Sequence, residues 1–133
     1  MAQTVLDSLD EVRSAVGRHL GTSDWLAITR DCLDRFAAAT GDRDHGYLAL
    51  ALTNLFLPEI VEVRGATVGV NYGTGNVRFG APLLAGCRVR GTAELVACDE
   101  IPGGVQTTIR ITVEVDGADH PACAVDSLSR WLA

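Results

Sequence analysis

The chain has 133 residues, 47% hydrophobic and 21% charged, which suits one domain that buries roughly two-thirds of the surface its unfolded chain exposes. A formal net charge of -6 argues against nucleic-acid or anionic-membrane binding, and Arg64, Arg78, Arg88 and Arg90 offer at most a local basic groove. The longest apolar runs, such as Tyr47 to Leu52, are too short to span a membrane, and the amino terminus lacks a basic-then-apolar signal pattern, so a cytoplasmic protein is expected.

Leu9, Val12 and Val16 recur at helical spacing between Ser8 and Gly17, which predicts a short amphipathic helix packed on a sheet edge. Asp24 to Ile28 alternates as a short strand. Thr29 is placed to cap a helix with Cys32, Leu33, Phe36 and Ala37 on its apolar face, ended by Gly41. From Gly46 through Leu57 the chain is apolar on nearly every side, which predicts a helix enclosed by other elements and ended by Pro58. Strands are expected over Val61–Tyr72, Val77–Phe79, Cys87–Asp99, Val105–Asp116 and Ala122–Trp131. Gly73–Asn76 and Ile101–Gly104 read as loops, and Asp116-Gly117 as a turn leading into His120-Pro121. Connectors this short are economical only with antiparallel pairing. The fold class is therefore α+β, a single domain over residues 1–133. Cys32, Cys87, Cys98 and Cys123 lack CxxC spacing, which disfavours zinc and, in the cytosol, disulfides; they read as reduced packing residues. No ligand spacing suggests a metal or a bound redox cofactor.

The most informative stretch is Phe36-Ala37-Ala38-Ala39-Thr40-Gly41-Asp42-Arg43-Asp44-His45-Gly46-Tyr47. Its first half resembles the Ala-Thr-Gly-Asp that opens the hydratase motif of MaoC-like (R)-specific enoyl-thioester hydratases and dehydratases. Its second half resembles the His-Gly-Tyr that begins their central helix. In that family a longer segment, with a further histidine and a lid-like loop, lies between the two; here only Arg43 and Asp44 intervene. Asp24 to Thr29, Val70-Asn71-Tyr72-Gly73, Asn76 to Phe79, the group Pro82, Gly86, Arg88 and Arg90, and Pro121 to Val125 with Ser127 resemble further family segments in the same order. The resemblance implies a hotdog fold, in which a long antiparallel sheet wraps a central helix. It also implies a homodimer joined edge to edge, and hydratase or dehydratase chemistry on an acyl thioester of coenzyme A or acyl carrier protein.

Adding water across an enoyl thioester needs a base for the water, an acid for the alpha carbon, and donors for the developing enolate oxygen. Carried over from the family, Asp42 would hold the water and the Gly46 amide would meet the thioester oxygen; the family's other histidine has no counterpart, and His45 is the nearest substitute. Asp44 supplies a second carboxylate. Tyr47 and Leu50, with Leu55 and Phe56, would line an acyl pocket, and Asn71, Tyr72 and Arg78 would reach it across a dimer interface. Arg78, Arg88 and Arg90 are candidates for holding carrier phosphates. The plainer readings are a solvated turn for Asp42, close backbone approach for Gly46 and a structural role for His45. Two other functions fit the same residues: a catalytically degenerate hotdog that binds an acyl ligand or pairs with an intact homologue, and a repurposed acid–base enzyme catalysing isomerisation or cyclisation in an opened pocket.

Overall fold

The computed structural model describes residues 3–133, in which three long strands, β6 (Arg88–Ile101), β7 (Gly104–Val115) and β8 (Cys123–Leu132), form an antiparallel meander. Their sequences alternate as a half-buried sheet demands: Val105, Thr107, Ile109, Ile111 and Val113 are buried along β7 while the residues between them are not. Pro102 and Gly103 close the β6–β7 hairpin, with Gly103 at a φ of 83° that glycine adopts without penalty. β5 (Val68–Phe79) adds to β8 on one side, and β2 (His19–Thr22) and β3 (Leu26–Ala27) both pair with β6 on the other, all antiparallel. Separately, β1 (Thr4–Leu6) pairs in parallel with β4 (Val61–Val63).

The sheet wraps α3 (Gly46–Ile60), which packs across β2, β6, β7 and β8; this is the expected hotdog arrangement. Leu48, Ala49, Thr53, Phe56 and Ile60 form the buried face of the helix. Phe56 is 1% exposed and seats against Gly91 of β6, where an added Cβ would lie 2.9 Å from the Phe56 Cβ, so that position admits only glycine without displacement of the ring. α2 (Arg30–Thr40) begins at the Thr29 hydroxyl, which accepts the Cys32 amide, and ends at Gly41 in the left-handed region, whose amide returns to Ala37. α1 (Leu9–Ser14) starts at Ser8 in the same manner, and Arg13 ties it to Glu100 of β6. Among the described residues no helix is long and apolar enough to cross a membrane.

Several expectations are corrected. The segment Gly73–Asn76 is not a loop but part of one twelve-residue strand, β5; β8 imposes its ladder on the glycines, and the irregularity they introduce survives as register shifts after Asn71 and after Gly75. The expected strand Val61–Tyr72 is broken between β4 and β5, and Asp24–Ile28 shrinks to the two-residue β3. β1 and β2 went unread, being too short to show a period. On α1 it is Ala15 that is buried beside Val12, while Val16 is exposed, because the helix ends at Ser14 and the spacing no longer applies. α3 is not enclosed on every side: Tyr47 and Leu55 are exposed. It also runs past Pro58 to Ile60, since a proline in the last turn forfeits only the bond to the Asn54 carbonyl, and Asn54 is exposed.

Because Phe56 fills the sheet's interior, Phe56→Ala is expected to lower unfolding stability by about 3–5 kcal/mol, measured by urea denaturation.

Candidate functional site

Between Gly41 and Gly46 the chain makes a tight connection in which each end is held by hydrogen bonds. The Thr40 hydroxyl donates to the Phe36 carbonyl at 2.7 Å and accepts the Asp42 amide at 3.1 Å. The Asp42 carboxylate then turns back over the start of α3: one oxygen accepts the Tyr47 amide at 3.0 Å and the other accepts the Asp44 amide at 3.3 Å. Asp42 thus serves as the cap that α3 lacks at its own first position, because His45 occupies that position at φ 61° without a capping bond from its side chain. The left-handed turn at His45 is uncommon for a residue with a side chain, and it is fixed by the ring, whose Nε2 lies 3.2 Å from the Leu33 carbonyl of α2 and donates to it. Nδ1 is the nitrogen left over.

These residues share one cavity of about 440 Å³, lined by Asp42, Asp44, His45, Gly46 and Tyr47 on one side and by Phe79 and the segment after it on the other. The Phe79 ring covers Gly46 so closely that a Cβ there would sit 3.1 Å from it, and the Tyr47 ring meets Phe79 edge to face at 5.3 Å. The Gly46 amide has no acceptor among the described residues, and it stands at the positive end of the α3 dipole. The arrangement can present a carboxylate and an unpaired amide to one small polar group.

The remaining expected site residues are distributed elsewhere, as strand alternation requires. Leu50 and Asn71 line a second cavity between α3 and the β5–β8 side of the sheet. Tyr72, the next residue, points to the opposite face and lies under the Arg130 guanidinium at 3.6 Å. Arg78 is on that outer face too, beside Arg110 and Asp126, with no ion-pair partner among the described residues. Arg88 and Arg90 are engaged: Arg88 with Asp116, Arg90 with Glu114 at 2.8 Å, and both stack on Trp25. The four cysteines are free thiols, and among the described residues no cluster is placed to hold a metal.

No protein-family model matches the chain. It is 35% identical to the 3-hydroxyacyl-thioester dehydratase Z of Mycobacterium tuberculosis, in an alignment that takes in 96% of this chain and 97% of the dehydratase. The aligned stretch spans 147 positions against a chain of 133, so at least 14 positions of the dehydratase have no counterpart here. The solved MaoC-like dehydratase from Rhodospirillum rubrum superposes with a TM-score of 0.70 at 13% identity, covering 89% of this chain and 92% of that one. The (R)-hydratase PhaJ1 from Pseudomonas aeruginosa gives 0.65 at 16% identity, covering 96% and 86%.

One group escaped sequence reasoning. Asp126, on the outer face of β8, is 6% exposed; Arg110 donates to both its oxygens at 3.0 and 3.4 Å, and the Asn76 side-chain amide donates at 2.8 Å. The signal is the one carboxylate of the strand Cys123–Leu132. The Arg110 guanidinium, then the Asn76 amide, hold this carboxyl below the usual carboxylate range. A depressed folded-state value stabilises the fold above the unfolded aspartate range near about 4, and that contribution is lost as pH falls through the folded value. Thermal midpoints recorded from neutral to acid pH should therefore fall below about pH 4, whereas Asp126→Asn should start lower and fall less.

Proposed function

We propose, from the premise that this chain belongs to the MaoC-like family of hotdog hydratases and dehydratases, that it is a lyase adding water to, or removing it from, an acyl thioester. The observation that carries the assignment within this fold is the Asp42 carboxylate folded over the start of α3 in the same cavity as the unpaired Gly46 amide. In the hydration direction, Asp42 takes a proton from water as the water oxygen bonds to C3 of the enoyl group. The electron pair of the double bond moves through C2 toward the thioester oxygen, where the Gly46 amide receives the charge. The enolate then collapses and C2 takes the proton from Asp42, so one water is added and the carboxylate is restored. Dehydration is the same path reversed, and no cofactor enters it.

His45 is a positioning residue in this scheme. Its bond to Leu33 braces the left-handed turn that immediately precedes Gly46 in the cavity wall. The unmatched positions of the dehydratase relative belong, on this reading, between Asp42 and His45, which leaves the cavity without a lid and open to bulky acyl groups. The acyl carrier is coenzyme A or acyl carrier protein, and the cytoplasm, where the four thiols stay reduced, is the compartment that suits the chain.

The free enzyme is a homodimer joined through β5. This strand forms an edge of the sheet, and Val68, Val70, Tyr72, Val77 and Phe79 are all exposed along it, a length of unpaired edge that soluble proteins cover. Pairing two β5 strands makes one continuous sheet and brings the Phe79 end of each cavity beside the partner.

Crotonyl-coenzyme A should be hydrated, seen as loss of enoyl absorbance, and Asp42→Asn should lower kcat by about 100-fold or more. His45→Gly keeps the turn and removes the ring, so its loss should stay under about tenfold; a loss equal to that of Asp42→Asn would make the ring a second acid–base group. Absence of turnover in the wild type would favour the degenerate acyl-binding reading. In sedimentation equilibrium the chain should run at twice its mass, and Tyr72→Lys with Val77→Lys should shift it to monomer.

A further inference from the structure

The cavity at the start of α3 is polar at Asp42, Asp44 and His45 and apolar over the rest of its wall, and the apolar part holds two kinds of residue. Tyr47 and Phe79 bring rings, 61% and 49% exposed, that meet edge to face at an interplanar angle of 66°. Ala49, Gly80, Ala81 and Ala122 bring nothing beyond a Cβ, so the room beside the rings exists because these four positions carry no larger side chain. That room is short along the helix. Ala49 is buried three residues past Gly46, about 4.5 Å at the helical rise, and the cavity farther along α3 shares no lining residue with this one. The segment after Phe79 is pinned to the sheet: a Cβ at Gly80 would collide with the Pro121 carbonyl oxygen, and the Gly80 and Ala81 amides donate to the Ala122 and Pro121 carbonyls at 3.0 and 2.9 Å. A long alkyl chain starting at Gly46 therefore has no internal path and turns out through the mouth, whereas a compact flat group fits beside the rings. Edge-to-edge pairing of β5 engages backbone groups and leaves the Phe79 ring over Gly46.

We infer that the acyl group carries a planar aromatic ring on C3, and that Tyr47 and Phe79 select it over a linear alkyl tail. The inference rests on the thioester reading, which puts the carbonyl oxygen at the Gly46 amide and C3 beside the water held by Asp42. A ring bonded to C3 then lies against Tyr47, the next residue of the helix, and Phe79, whose ring covers Gly46. A third ring joins an edge-to-face pair with the quadrupole preference that rings have for one another, beyond the area it buries, and it loses fewer torsions on binding than a five-carbon tail. Conjugation with the ring stabilises the enoyl form, so such a substrate is followed in the dehydration direction: Asp42 takes the C2 proton and returns it to the departing C3 hydroxyl, the C2–C3 double bond forms, and one water leaves.

The test measures calorimetric Kd values for cinnamoyl- and octenoyl-coenzyme A, together with dehydration of 3-hydroxy-3-phenylpropionyl-, 3-hydroxyoctanoyl- and 3-hydroxybutyryl-coenzyme A, the last as the reference without a tail. The wild type should bind the cinnamoyl thioester about fivefold or more tighter than the octenoyl one, and kcat/KM should favour the phenyl substrate in the same sense. Phe79→Leu and Tyr47→Leu keep apolar bulk and remove the ring, so each should lower the Kd ratio by about twofold or more; Tyr47→Leu, at an exposed position, decides the matter should the Phe79 variant not fold. A wild-type Kd ratio near one, or a ratio unchanged in the leucine variants, overturns the inference even where 3-hydroxybutyryl-coenzyme A is turned over. Failure to dehydrate any of the three substrates overturns the lyase reading instead, and the Kd ratio then decides the ring site by itself.

Discussion

Everything in this molecule is positioned by the seating of one helix in one sheet. Phe56 of α3 lies against Gly91 at a separation no other residue on β6 would permit, with Ile60 and Leu48 extending the contact toward the two helix ends. Burial of such a face contributes on the order of 2–3 kcal/mol per large side chain, and it is this packing rather than helix propensity that holds α3 in place. Once α3 is seated, both cavities along it are fixed. Its amino terminus is brought under Phe79 of β5, and its second half is laid over Asn71, Ser127 and Ser129.

At the amino terminus the atoms that hold the structure are the ones to which we assign the chemistry. Asp42 caps the helix with a carboxylate that also faces a cavity, and the turn at His45 leaves the Gly46 amide without an internal acceptor. The local cost of a left-handed histidine is offset by its bond to α2, which ties the two helices together at the point where the site is assembled.

The fold was legible to the extent that periodicity reports burial. The helix ends at Thr29 and Gly41, the three long strands of the meander and the apolar α3 all announce themselves in residue type and spacing. What was hidden depended on partners. The glycines of Gly73 to Gly75 suggest a loop by themselves and become strand because β8 pairs with them, and β1 finds its partner β4 only beyond the whole helical half of the chain. For the site, the motif names Asp42, His45, Gly46 and Tyr47, and these four line one cavity. It grouped Asn71 with Tyr72 and Arg78, which strand alternation sends to opposite faces.

The connection from α2 to α3 has a consequence for how such chains diverge. It takes no part in any strand pairing, so residues gained or lost there move no register in the sheet and disturb no layer of the core. Its length is free to vary over evolutionary time while the scaffold stays constant. The cap on α3 needs only a carboxylate that can reach back to the Tyr47 amide, a condition that a short connection meets as well as a long one. Insertion or excision at this point therefore alters what can enter the cavity while leaving the fold that forms it intact.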